Sequence, residues 1–180
     1  NLGLNVIKGK YFESANKRII ISRNLLREYT IKNNYDYLFS LEQDVIPNKD
    51  ALTKLISHNK EIVSGIYFVH NIIDGKRMLI PQIFIELPNK TSNLPDMRWL
   101  TEEEFNSNGL IKIVSCGMGC VLIHRNVLEK IEFRSENEVF DDRFFAIDLY
   151  KKNIPMYCDI SVKCKHLILN RPYPWNKIKK

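Results

Sequence analysis

Apolar and polar positions fall into blocks along the chain, and the period of those blocks changes from one segment to the next. Leu4–Lys8 reads as a short strand. Ser14 is placed to cap a helix running to Asn33, with Ile20, Ile21, Leu25 and Tyr29 among its apolar positions. Tyr35–Leu41 reads as a buried strand, rich in Tyr, Leu and Phe. Asn48 can cap a second helix over Lys49–Asn59, where Leu52, Leu55 and Ile56 share a face. Glu61–Phe68 is a third strand. This β-α-β-α-β order predicts parallel strands joined by helical crossovers.

The pattern then changes. Met78–Leu87 reads as one long strand, and Pro88–Leu100 as a loop broken by Pro88, Asn89, Asn93 and Pro95. Thr101-Glu-Glu-Glu104 has the form of a capping box for a short helix. Leu110–Ser115 is a strand, Gly117 and Gly119 mark a tight passage, and Val121–His124 continues extended into a short helix over Arg125–Ile131. A helix from Asp141 or Asp142 to Lys152 and two strands, Ile154–Asp159 and Ser161–His166, complete the set.

At 180 residues, with 44% hydrophobic and 27% charged residues, the chain suits one soluble globular domain with a buried core. No apolar run approaches the ~18 residues of a membrane span, and no signal peptide is visible. The net charge of +6 is concentrated: Lys163–Lys180 carries six basic residues and no acid, so the preceding 162 residues have no net charge. We divide the chain into a domain over 1–169 and a basic, aromatic tail over 170–180. The tail suits peripheral contact with an anionic membrane face, or simple solvation. It lacks the length and alternation of a nucleic-acid groove, so no nucleic acid is expected. Cys116, Cys120, Cys158 and Cys164 have spacings unlike paired C-x2-C zinc sites and read as free, buried thiols of a reducing, cytoplasmic compartment.

The candidate chemistry begins where the Tyr35–Leu41 strand ends in Glu42-Gln43-Asp44. Ligands in open α/β sheets sit beyond the carboxyl ends of strands, and carboxylate oxygens suit a hard divalent cation. An acid pair that merely surfaces at a strand end has the same sequence. Asp141 and Asp142 suit either a helix N-terminus or acid–base work. Gly117-Met118-Gly119 suits close approach to a ligand or a strand bend. Trp99 suits a sugar platform or a loop anchor.

Taken in order, Ser22-Arg23-Asn24, Glu42-Gln43-Asp44, Cys116-Gly-Met-Gly-Cys120, Phe140-Asp141-Asp142 and Asp159–His166 resemble the nucleotide-sugar glycosyltransferases of the GT-A type. The likeness is to the large inverting group that includes cellulose- and chitin-synthase-like enzymes, and it spans residues 5–166. It implies a three-layer α/β/α sandwich with a mixed, mainly parallel central sheet. It implies a hexosyltransferase-type activity that moves a sugar from a nucleoside diphosphate donor to a glycan, lipid-linked or protein hydroxyl. It also implies a divalent cation, Mn2+ or Mg2+, held by Asp44 with Glu42 and completed by His166. Asp142 matches the catalytic base, with Asp141 beside it. Arg23, Asn24, Gln43, Gly117, Met118 and Gly119 fall where substrate is bound.

The chain departs from that pattern in two ways. Its first acid is Glu rather than Asp. If Leu4–Lys8 is the second strand, the first strand and its helix, about 30 residues, are expected upstream of Asn1. Both departures keep a second reading open, a non-catalytic sugar- or nucleotide-binding module of the same fold.

Overall fold

The computed structural model describes residues 6–88, 94–107, 109–136, 139–168 and 171–172. Ser14 caps α1 (Ala15–Lys32) by accepting a hydrogen bond from the Lys17 amide. The chain continues through β1 (Tyr37–Leu41), β2 (Val45–Ile46), α2 (Ala51–Ser57) and β3 (Ile62–Ile66). A hairpin of β4 (Phe68–Ile73) and β5 (Lys76–Pro81) follows, turned by Asp74 and Gly75 at φ 51° and 73°. Next come β6 (Ile83–Glu86), β7 (Met97–Trp99), α3 (Glu102–Asn106), β8 (Leu110–Ile113) and β9 (Ser115–Cys116). The last elements are β10 (Cys120–His124), α4 (Arg125–Leu128), α5 (Asp141–Lys151), β11 (Met156–Lys163), β12 (Lys165–Ile168) and β13 (Arg171–Pro172).

The architecture is α/β, with a central five-stranded sheet in the order β1-β10-β3-β11-β8. The sheet is mixed. β3 and β11 pair in parallel, but β10 lies antiparallel between β1 and β3, and β8 lies antiparallel to β11. The expected predominance of parallel pairing is therefore corrected. Only one of the four pairings is parallel, because β8 and β10, the latter entered after Gly117-Met118-Gly119, both run opposite to the strands beside them. Apolar content alone carries no strand direction.

Successive residues on the central strands face opposite sides. Ile62, Val121 and Ile123 enter a core with Val127, Leu128, Phe145 and Leu149 of α4 and α5. Val63 and Leu122 join Ala51 and Leu55 of α2 in a second core. Both faces of the sheet are thus covered by helices. Among the described residues, no helix is long and apolar enough to cross a membrane.

Other boundaries differ from expectation. Val6–Lys8 form no strand, and Val6 is largely exposed; residues 4–5 lie outside the described residues. α2 starts at Ala51, and its cap position is Asp50, not Asn48. The expected Met78–Leu87 strand is divided between β5 and β6. The expected loop contains β7, where Trp99 packs beside Phe84 at 6.0 Å between rings; Asn89 and Asn93 lie outside the described residues. The capping box at Thr101 and Glu104 is complete. Arg171–Pro172 pair with β12, so a boundary at residue 170 cuts a hairpin; the rest of the tail, 173–180, lies outside the described residues. All four cysteines are buried and free, and burial pushes the Cys116 thiol up to about 12.

One buried charge locks α2 to the sheet. Asp159 on β11 is 3% exposed. Its carboxylate accepts from His58 Nε2 at 2.8 Å and from the Ser161 amide at 2.8 Å. Burial pushes this carboxyl up, but the bonds from His58 and Ser161 outweigh it and hold it below the usual carboxylate range. The stability this supplies is present above pH ~4 and is lost as pH falls through the lowered folded-state value. His58→Ala should cost about 1–3 kcal/mol at pH 7, the cost of a buried group left without its partner. It should also flatten the acid limb of stability against pH, as measured by urea unfolding at a series of pH values.

Candidate active site

Strand β1 delivers Glu42-Gln43-Asp44 to the end of the sheet. Glu42 starts a tight turn whose carbonyl accepts from the Val45 amide, while the Glu42 amide donates to the Gly119 carbonyl. The turn leads into β2, which pairs with β12 so that His166 lies opposite Val45. The Leu167 amide donates to the Asp44 carbonyl at 2.7 Å. This short ladder brings Asp44 and His166 together across 122 residues of sequence.

His166 is held in a defined orientation. Its Nδ1 lies 2.9 Å from the Phe68 carbonyl, which can only accept, so Nδ1 carries the proton. In the neutral ring Nε2 then presents a lone pair to Asp44 Oδ2, 3.3 Å away. Two acceptors facing each other require a proton or a cation to reconcile them. A ring nitrogen fixed by a backbone carbonyl is also the usual support of a metal-binding histidine.

Beside this pair lies a cavity of about 530 Å³, lined by residues that include Arg23, Glu42, Gln43, Asp44, Asp141 and Asp142. Arg23 reaches in from α1. Its two terminal nitrogens lie 2.5 Å from Glu42 Oε1 and 2.5 Å from Asp141 Oδ2. Asp141 is 3% exposed, so its carboxylate is a buried counter-charge to Arg23 and not an accessible base. Asp142 is less buried and accepts from the Arg143 amide at 2.7 Å. Both acids open α5, where the helix dipole favours negative charge.

Among the lining residues, four carboxylates share one guanidinium. Burial raises the Glu42 carboxyl, and Asp44, Asp141 and Asp142 add to the rise against the pull of Arg23. Burial also raises Asp142, opposed by the Arg143 amide and reinforced by Asp141. The cavity is thus short of positive charge.

The structure brings Arg23, Gln43, Met118, Asp141 and Asp142 to the cavity wall, together with Glu42 and Asp44. It gives three expected substrate-binding residues other tasks. Asn24 donates to the Phe133 carbonyl and accepts from the Phe133 amide, so it ties down the loop after α4. A Cβ on Gly117 would lie 2.1 Å from the Tyr67 hydroxyl, and one on Gly119 would lie 2.9 Å from the same ring. These glycines make room for Tyr67. Glu42, expected as a metal ligand, is held by Arg23.

Tyr67 and Ile19 line the cavity and carry no expectation from the sequence, and Phe140, expected only as the first residue of the Phe140-Asp141-Asp142 motif, lines it as well. Tyr67 had a signal: it follows a strand buried at every position, where a tyrosine needs a partner for its hydroxyl. That hydroxyl accepts from the Gly119 amide at 3.2 Å, and its ring stands edge-on to His166. Burial pushes its ionisation well up, so it stays neutral.

A divalent cation fits this donor set in part. Among the described residues, no group of three His, Cys, Asp or Glu forms a cage. Asp44 and His166 nonetheless offer two ligands on adjacent strands. Their 3.3 Å separation is close to the ~3 Å between neighbouring ligands of an octahedral ion. Mg2+-type ions commonly take one or two protein ligands and complete their shell with water and substrate phosphate.

Arg23→Met should strand the buried Asp141 charge and cost roughly 3–5 kcal/mol, read from the urea midpoint. Adding Asp141→Asn to that variant should restore part of the loss.

Comparison with known proteins bears on the fold. No protein-family model matches the chain, and no curated protein matches it. Among solved structures the chain is similar to the crystal structure of A197 from STIV. The two share 19% identity over 83% of this chain and 68% of that one, with a TM-score of 0.53.

Proposed function

We propose that the chain is a metal-dependent glycosyltransferase with a GT-A-like sandwich, acting on a nucleoside diphosphate sugar. The observation that carries this reading is the pairing of a carbonyl-fixed His166 with Asp44 at the rim of a cavity that also holds Asp142. A bound Mn2+ or Mg2+ would supply Lewis-acid stabilisation of the diphosphate leaving group.

The chain's own residues then divide the work. Asp44 and His166 would hold the cation. Arg23 neutralises Glu42 and Asp141 and keeps the two acidic segments at a fixed distance. Asp142, with its proton affinity raised by burial, takes the proton from the acceptor hydroxyl as that oxygen attacks the anomeric carbon. Such a single-displacement attack inverts the anomeric centre. The acceptor is a glycan, lipid-linked or protein hydroxyl, and the basic end of the chain suits a peripheral position at a cytoplasmic membrane face.

The hold of Arg23 on Glu42 favours a second reading, a sugar- or nucleotide-binding module without turnover. Calorimetric titration of UDP and GDP, with and without Mn2+, separates the cases when combined with a donor-hydrolysis assay. The enzyme reading expects nucleotide binding that needs Mn2+ and falls at least tenfold in Asp44→Ala. It also expects hydrolysis that falls about 100-fold or more in Asp142→Asn, with nucleotide binding retained. Metal-dependent binding with no turnover supports the module. No binding of either nucleotide overturns the enzyme reading and leaves a module that binds sugar alone.

A further inference from the structure

The cavity has one wall with no part in holding the diphosphate. Phe140 lines it and is 61% exposed, although a phenylalanine ring gains most from burial. It occupies the N-cap position of α5 without a side-chain capping bond. The ring is therefore not there to start the helix, and it stands directly before Asp141 and Asp142. Gln43, exposed at the tip of the acid turn, lines the same cavity. With Arg23 occupied by Glu42 and Asp141, the lining offers an incoming molecule an apolar ring face, an amide and carboxylate oxygens. Among the described residues that line it, the one cation is Arg23, already paired.

We infer that Phe140 is the platform of an acceptor subsite for a neutral, hydroxyl-rich ring, and that this subsite excludes carboxylate-bearing sugars. The inference rests on the glycosyltransferase reading and names its acceptor class. A pyranose presents C–H groups on one face and hydroxyls around its edge. The C–H face suits Phe140, and the hydroxyls suit the amide of Gln43 and the carboxylate of Asp142. An acidic sugar would bring a further negative charge into a cavity whose lining already sets four carboxylates against Arg23, which is paired with two of them, and such like-charge contact is how a site rejects a near-isostere.

Saturation-transfer NMR and competition titration with two probes, methyl β-D-glucoside and methyl β-D-glucuronide, test this on the full chain, with and without UDP and Mn2+. Wild type should bind the glucoside and discriminate against the glucuronide at least tenfold. Phe140→Ala should weaken glucoside binding about tenfold, and Phe140→Tyr should restore it. Because Phe140 is exposed, both variants should keep the wild-type urea midpoint, which separates loss of the platform from loss of the fold. Equal binding of the two probes, or equal glucoside affinity in Phe140→Ala, overturns the inference. If the glucoside binds through Phe140 but no nucleotide binds with Mn2+, the glycosyltransferase reading fails and the subsite stands. If nucleotide binds and the glucoside does not, the subsite alone fails.

Discussion

The guanidinium of Arg23 lies between two carboxylates that the chain order keeps far apart, Glu42 after β1 and Asp141 at the start of α5. A planar group with forked donors can satisfy two acids at once, which an ammonium cannot do with the same geometry. Because Asp141 is buried, the pair is a constraint and not a surface ornament: either charge without the other would be costly. The cavity depends on it, since Arg23 sets how closely the Glu42–Asp44 turn and the first turn of α5 approach. Helix α1 extends the hold through Asn24 and Arg27, which bind backbone groups at the end of α4 and in the loop after it. One helix face thus carries three polar side chains that organise the surroundings of the site.

Around this clamp the site divides into a fixed half and an open half. Tyr67, Phe68 and Gly119 fix His166 and the turn by hydrogen bonds to backbone groups and by ring contact. The two glycines are required there because the Tyr67 ring already fills the space a side chain would need. The open half holds Asp142, Gln43 and Phe140, whose side chains keep solvent contact. A rigid frame with a few accessible groups is what preorganisation asks of a binding or catalytic site.

The elements were legible wherever local physics decides them. Ser14 and the Thr101–Glu104 box cap helices within one turn, and both caps form. The apolar run before Glu42 could only be a strand or a buried helix, and its length and aromatic content decided for strand. The site was legible in outline, because acids at a strand end and at a helix start converge in α/β folds. The tasks of Asn24, Gly117 and Gly119 were not legible. Each depends on one distant partner, Phe133 or Tyr67, and nothing in the local pattern names that partner. His58 is a further case: its place at a helix end names no partner, yet its ring hydrogen-bonds the Asp159 carboxylate a hundred residues away.

By itself the sequence determined the positions of most helices and strands, the alternation that covers both faces of the sheet, and the acids, arginine and histidine available for chemistry. These follow from periodicity, capping and residue type, all of which act over a few residues. Tertiary structure alone decided the antiparallel entry of β10, the β2–β12 ladder that sets Asp44 against His166, and the choice of Arg23 as partner to Glu42 and Asp141. Strand direction and long-range pairing are settled by which arrangement buries the apolar faces and satisfies the charges together. That is a property of the whole chain, carried by no single segment.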